Sequence, residues 1–164
     1  MRLSGTFKIL LLVIGLVSQS ARAAVYQWSA VVDGFVSPES KDHPRAFLWI
    51  PGNCRHVRAV VIADQNMEEE QIFQDAAFRQ TLTDLGFAEI WIAPAMGTMD
   101  FRFDKDDPKV LAAFLGALAD CSGYKEIATA PLVPMGHSAT AGWCWDVAAW
   151  DPNRVLAVLS ISGQ

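Results

Sequence analysis

Gly136-His137-Ser138-Ala139-Thr140 decides how this chain reads. It follows the apolar run Pro131-Leu132-Val133-Pro134-Met135 and opens a stretch of helical character, Ala139 to Trp150. A serine at a sharp strand-to-helix turn is a candidate nucleophile. The turn lifts Oγ above the sheet edge, and the N–H of the next residue, here Ala139, points where a carbonyl oxygen would gain charge. Strand and helix backbones approach closely at such a turn, and Ala139, Ala141 and Gly142 supply the small residues it needs. Thr140 stands where the pattern expects glycine, which weakens the match. Serine also caps helices by accepting from free N–H groups, so the weight of the motif rests on the elements around it.

Those elements alternate. Val25 to Val32 puts Tyr26, Trp28, Ala30 and Val32 on one side, as a half-buried strand would, and Arg45 to Ile50 repeats the pattern with Ala46, Leu48 and Ile50. Pro51-Gly52-Asn53 then turns the chain. Ala59 to Ala63 is a short β-branched run that suits a central parallel strand. Asp75 is placed to cap a helix carrying Phe78, Leu82 and Leu85, with Gly86 as its stop, and Ala88 to Ala93 follows as a strand. The clearest helix is Pro108 to Asp120, with Asp107 as N-cap, Pro108 in the first turn and Val110, Leu111, Phe114, Leu115 and Leu118 as one apolar stripe closed by Gly123. The strand before Ser138, the helix after it and a buried strand over Val155 to Ile161 complete the order.

Strands separated by helices cannot pair through hairpins, so the sheet is expected to be parallel where helices intervene. The fold class is α/β: a doubly wound, mostly parallel sheet with helices on both faces. Pro131 and Pro134 remove ladder donors from the strand before Ser138, which predicts few hydrogen bonds or a bulge there.

The turn and this order of elements resemble the α/β-hydrolases over roughly Ala24 to Gln164. More loosely, the chain is similar to exported Gram-negative hydrolases that degrade polysaccharides, several of them esterases of decorated sugars. The resemblance implies Ser138 as nucleophile. It takes the second oxyanion donor from the loop after the third strand, Asp64-Gln65-Asn66-Met67, where the Met67 N–H is the natural candidate beside that of Ala139. Many hydrolases have glycine where this chain has Asn66, a residue that tolerates the left-handed backbone conformation. A plain polar turn into Glu68 explains the same stretch equally well.

The family order places the acid and then the histidine after the nucleophile. No histidine follows Ser138; the three present are His43, His56 and His137. His43 and His56 lie in loops near the early strands. His137 adjoins Ser138 and is expected to shape the pocket floor or pack in the core. Asp146 sits within the following helix, and Asp151-Pro152 reads as a helix-ending turn. Without a base a serine hydroxyl is a poor nucleophile, so the chain reads as the N-terminal part of a longer hydrolase, incomplete at its C-terminus.

Arg2 and Lys8 precede the apolar run Ile9 to Val17, then Ser18-Gln19-Ser20 and Ala21-Arg22-Ala23. This is the pattern of a secretory signal peptide over residues 1–23, too short in its apolar part to span a bilayer. The expected location is periplasmic or extracellular, with membrane contact only during export. Loss of Arg2, Lys8 and Arg22 leaves residues 24–164, one domain, with 10 basic against 18 acidic residues. That balance repels nucleic acid. Glu68-Glu69-Glu70 and Asp104 to Asp107 read as solvated charges, since neither has calcium-loop spacing. Cys54, Cys121 and Cys144 lack zinc-site spacing and allow at most one disulfide, or serve as buried small apolar groups. No metal or cofactor is expected.

Six tryptophans are present, three of them, Trp143, Trp145 and Trp150, in the helix after Ser138. Core packing is their ordinary role. A sugar-stacking platform is the sharper expectation, with Trp143, Phe101 and Phe103 as its members and Met96 to Asp107 overhanging the site. Two functions follow: a secreted serine hydrolase of carboxylic esters on decorated carbohydrates or small molecules, or a non-catalytic ligand- or carbohydrate-binding protein on the same scaffold.

Overall fold

A computed structural model describes residues 26–97, 102–103 and 106–163. Residues 1–23, where a signal peptide is expected, and Phe101 and Asp104 lie outside the described residues. The elements are β1 (Trp28–Val31), β2 (Arg45–Trp49), β3 (Ala59–Asp64), α1 (Glu69–Gln74), α2 (Ala76–Leu85), β4 (Phe87–Ala93), α3 (Asp107–Ser122), β5 (Leu132–His137), α4 (Ala141–Trp150) and β6 (Leu159–Ile161). The strands form one sheet in the order β1-β2-β4-β3-β5-β6. β3, β4, β5 and β6 are parallel, whereas β1, β2 and β4 pair antiparallel. No helix separates β1 from β2, so nothing forces a parallel crossover between them.

The sheet is packed on both faces. Ala46, Leu48, Ile62 and Ile90 meet the α3 stripe of Val110, Leu111, Phe114, Leu115 and Leu118, together with Trp143, Cys144 and Val147 of α4. Trp49, Val61, Ala63, Val133 and Met135 meet Phe73 of α1 and Leu82 of α2 on the other face. All six residues of β3 are buried, as a strand covered on both sides must be. Trp28, Ala30 and Val32 share a face as expected, but Tyr26 packs on the opposite one. The strand begins only at Trp28, so the alternation does not extend back to Tyr26.

Helix boundaries follow local chemistry. Asp75 Oδ1 accepts from the Phe78 N–H at 2.9 Å, and Gly86 ends α2 at φ 69°. α3 is closed by Gly123 at φ 82° and begins one residue earlier than expected: Asp106 is its N-cap and Asp107 already belongs to the buried first turn. The short helix α1 was not expected, and its Glu69 is fully buried, unlike the solvated Glu68 and Glu70. Cys54, Cys121 and Cys144 are free thiols, and burial pushes the Cys144 thiol up to about 12. Among the described residues no helix is long and apolar enough to cross a membrane.

Two strands differ from expectation. β5 pairs with β3 in continuous register through Pro134, opposite Ile62, without a bulge. The Leu132 N–H donates to Arg154 on the β6 side. Strand geometry repeats every two residues, so Pro134 turns its missing donor to that same side. There, pairing with β6 resumes only at Met135, and no ladder bond is lost. Val155 makes only an isolated bridge to Leu132, and β6 is three residues long and exposed rather than buried. Leu156, Leu159 and Ile161 stand 59%, 37% and 38% exposed along that edge, which leaves a strand able to pair further.

An ion pair lies under α2. Glu89, fully buried on β4, accepts from Arg79 Nε at 3.0 Å, and the guanidinium stacks 4.8 Å from Trp49 and 5.5 Å from Tyr26. Burial raises Glu89 from 4.5 to about 7 despite Arg79. An acid whose pKa is raised on folding contributes most below its unfolded value, and that contribution is lost as pH rises toward 7. Arg79→Met keeps the stem and leaves the carboxylate unpaired, so it should cost about 3 kcal/mol at pH 8. The loss should be clearly smaller at pH 5, where Glu89 is protonated. Denaturant unfolding at the two pH values checks this, and equal losses would show that the charge is not the cause.

Candidate active site

β5 carries the chain to the carboxyl ends of the parallel strands, and α4 carries it away. Between them Ser138–Thr140 forms a single tight helical turn. Ser138 has φ 55°, one of three non-glycine residues with positive φ among the described residues. Such a conformation costs on the order of 1–3 kcal/mol and persists only where the surroundings over-determine it. Ser138 and Ala139 are exposed, while Thr140 is fully buried.

The turn dictates Gly136. A Cβ there would lie 2.3 Å from the Thr140 carbonyl oxygen and 2.8 Å from Cys144 Sγ. Strand and helix approach too closely for any side chain at that position. Gly163, just after β6, is constrained in the same way, because a Cβ would meet Ala141 Cβ at 2.2 Å. Ala141 thus packs the first turn of α4 against the chain leaving β6.

Side chains from the β3–α1 segment hold the turn from behind. The His137 N–H donates to Glu69 Oε1 at 2.8 Å and lies 2.9 Å from Thr140 Oγ1. The Thr140 hydroxyl donates to the same Glu69 oxygen. Asn66 Nδ2 donates to the His137 carbonyl at 2.8 Å. Asn66, which tolerates the left-handed conformation, does not adopt it; its side-chain amide is what the position uses. The Thr140 that weakened the sequence match is a bonded member of the turn, and Glu69 is not a solvated charge.

Met67 follows Asn66 in this loop and is 78% exposed. Asp64 anchors the root of the loop. Both its oxygens accept from the Met96 N–H at 3.1 Å, and Oδ1 also accepts from the Gln65 N–H at 3.2 Å. Complete burial drives its pKa up to about 8, with the Met96 and Gln65 bonds opposing.

The remaining polar candidates are spread apart. His137 turns its ring toward the same loop, with Nε2 3.7 Å from Glu68 Oε2, and is 20% exposed. His56 pairs with Glu126 at 3.1 Å and precedes β3, at the amino ends of the parallel strands and so opposite Ser138. His43 is exposed, bonded to the Phe35 carbonyl, and precedes β2, which β4 and β3 separate from β5. Asp146 binds Arg102 at 2.8 Å and accepts from the Phe103 N–H at 3.2 Å, holding that segment on α4. Asp151 ends α4, as its sequence suggested.

The stacking platform is not formed by its described members. Trp143 and Phe103 are 1% and 7% exposed and meet edge to face at 6.0 Å inside the core. Apolar burial wins over display for these two, because Phe103 packs against α4. Trp150 covers Phe103 at 5.4 Å, and Trp145 points outward, 60% exposed. A groove of about 550 Å³ runs along α1 and α2, lined by Glu68, Gln71, Ile72, Asp75, Ala77, Phe78 and Thr81. It reaches the site only through Glu68, the partner of His137. No group of metal-ligating side chains occurs among the described residues.

No family of sequences and no curated protein matches the chain. Solved structures do. The enterochelin esterase of Shigella flexneri superposes with a TM-score of 0.57 at 13% identity, over 86% of this chain and 37% of that one. An acetyl xylan esterase from Aspergillus awamori gives 0.56 at 16% identity, over 84% and 52%. The fluorophosphonate-binding serine hydrolase FphF of Staphylococcus aureus gives 0.52 at 10%, over 83% and 56%. The chain thus spans about half or less of the length of these proteins. Identities this low speak to fold, and the fold they share with this chain is that of a partial α/β-hydrolase-like domain.

Proposed function

We propose that this chain is the nucleophile-bearing part of an exported serine hydrolase of the esterase kind. The observation that carries the reading is Ser138: exposed, at φ 55°, between a parallel strand and a helix, at the carboxyl ends of β3 and β5. Structural neighbours described as an enterochelin esterase, an acetyl xylan esterase and a serine hydrolase support it. The substrate class is a carboxylic ester, either a small molecule or an acyl decoration on a carbohydrate.

In this reading Ser138 Oγ attacks the acyl carbon while a base removes its proton. Charge on the carbonyl oxygen is met by the Ala139 and Met67 N–H groups. Collapse of the tetrahedral species expels the alcohol, which takes up the proton, and water then hydrolyses the acyl-serine. His43 is bonded to the Phe35 carbonyl and His56 to Glu126, while the His137 ring faces Glu68 at 3.7 Å with its Nδ1 buried and without a hydrogen-bond partner. The reading therefore takes the base and its acid partner from beyond residues 1–164.

Residues 1–164 alone should turn over a chromogenic acetyl ester weakly, because a site lacking a triad member keeps only about a thousandfold or more over water. Ser138→Ala should change that weak turnover little where it comes from oxyanion stabilisation and binding alone. In a longer chain supplying a histidine and an acid, turnover should rise by orders of magnitude, a gain lost with Ser138→Ala. Turnover indifferent to Ser138 in the longer chain would instead favour a binding protein on this scaffold.

Export is tested separately. Expressed in a Gram-negative host, the chain should be found in the periplasm with Ala24 as its first residue by mass spectrometry. Retention of residues 1–23 in the cytoplasm would refute the export reading.

A further inference from the structure

We infer that Asn66, Glu69 and Thr140 form a positioning clamp that fixes the spacing between the Met67 N–H and the Ala139 N–H. The inference rests on Ser138 being the nucleophile, and it concerns how two separate loops become one anion-binding site. The two loops follow adjacent strands, since Ala63 of β3 is paired with Met135 of β5. Strand pairing brings them side by side but leaves both free to shift once the ladder ends. An oxyanion site tolerates little such freedom, because its donors must stand about 2.7–3.1 Å from a single oxygen.

The clamp removes it. Glu69 is the hinge point: one carboxylate oxygen takes the His137 N–H and the Thr140 hydroxyl, and the other takes the Glu68 N–H at 3.2 Å. A single buried carboxylate thus bonds the backbone on both sides of the site, at the residue after Met67 and at the residue before Ser138. Asn66 closes the second link by binding the His137 carbonyl at 2.8 Å. Both backbone polar groups of His137 are therefore held by side chains of the segment, from the loop into α1, that carries Met67. Hydrogen bonds within a buried network reinforce one another, so each link holds the others in one geometry.

Thr140 is the member the sequence pattern would have as glycine. Its side chain is fully buried, and its one hydroxyl proton goes to Glu69 while the oxygen lies within bonding distance of the His137 N–H. A glycine here would leave Glu69 Oε1 with one donor in place of two. The departure from the pattern and the buried glutamate thus explain each other, as two halves of one contact between residues 71 apart. These three are positioning residues: none touches the acyl group.

The test uses the intact chain and 4-fluorophenylboronic acid followed by ¹⁹F NMR. The tetrahedral adduct of boron with a serine Oγ places an oxygen where the oxyanion forms; as the Oγ–boron bond forms the serine proton passes to the buffer, and no bond to boron breaks. 4-Fluorobenzamide, which forms no adduct, is the control ligand. The wild-type chain should form an adduct that Ser138→Ala abolishes. Thr140→Val, equal in shape but without the hydroxyl, should weaken the boronate by about tenfold or more, and Thr140→Ser should restore it to within about twofold. Asn66→Ala cuts the other link at a partly exposed position and should weaken the boronate severalfold with an unchanged thermal midpoint. It carries the test if the valine variant does not fold. Affinity for the amide should not move in any folded variant. Wild-type boronate affinity in both Thr140→Val and Asn66→Ala, with the adduct still lost in Ser138→Ala, would overturn the clamp alone. An adduct that survives Ser138→Ala, or none in the wild type, would overturn the nucleophile reading and the clamp with it.

Discussion

The buried carboxylate of Glu69 is the contact on which the rest of the site depends. Ser138 holds a backbone conformation that L-residues avoid, and a turn of that kind survives only when its neighbours leave no alternative. Glu69 bonds the residue before the serine and the residue two after it. The close approach of Gly136 to the Thr140 carbonyl holds the turn from the strand side. Together they confine three residues whose local preference would be different.

The sheet supplies the rigid frame on which this is possible. β3 is buried along its whole length and lies between β4 and β5. The loop after it and the turn after β5 therefore start from fixed, adjacent points. Proline in β5 does not loosen the frame, because the donor missing at Pro134 falls where no neighbour asks for it. The frame is less uniform elsewhere. The Arg79–Glu89 pair introduces a charge under α2 that burial disfavours, and the β6 edge exposes apolar side chains on a three-residue strand.

Much of this was legible from sequence, for identifiable reasons. The alternation of strand and helix, the Asp75 cap, the Gly86 and Gly123 stops and the α3 stripe are all signals carried within a few residues. Of the two expectations for β5, few hydrogen bonds or a bulge, no bulge forms, because proline matters only on the side where a partner waits, and that side is set by the neighbouring strand. The two described members of the expected aromatic platform are buried for a related reason. Spacing put Trp143 on a helix face but could not say that Phe103 would fold back against it and bury both.

By itself the sequence determined the order of elements apart from α1, the class of sheet they build and the serine at the strand-to-helix turn, because short-range periodicity, caps and glycines encode all three. Only the tertiary structure decided what holds that turn. Asn66, Glu69 and Thr140 read singly as a turn former, a surface acid and a motif defect. Their joint role exists because parallel pairing of β3 with β5 brings together side chains 71 residues apart. Hydrogen bonds across such a distance leave no local pattern in the chain, since only the fold defines which donor meets which acceptor.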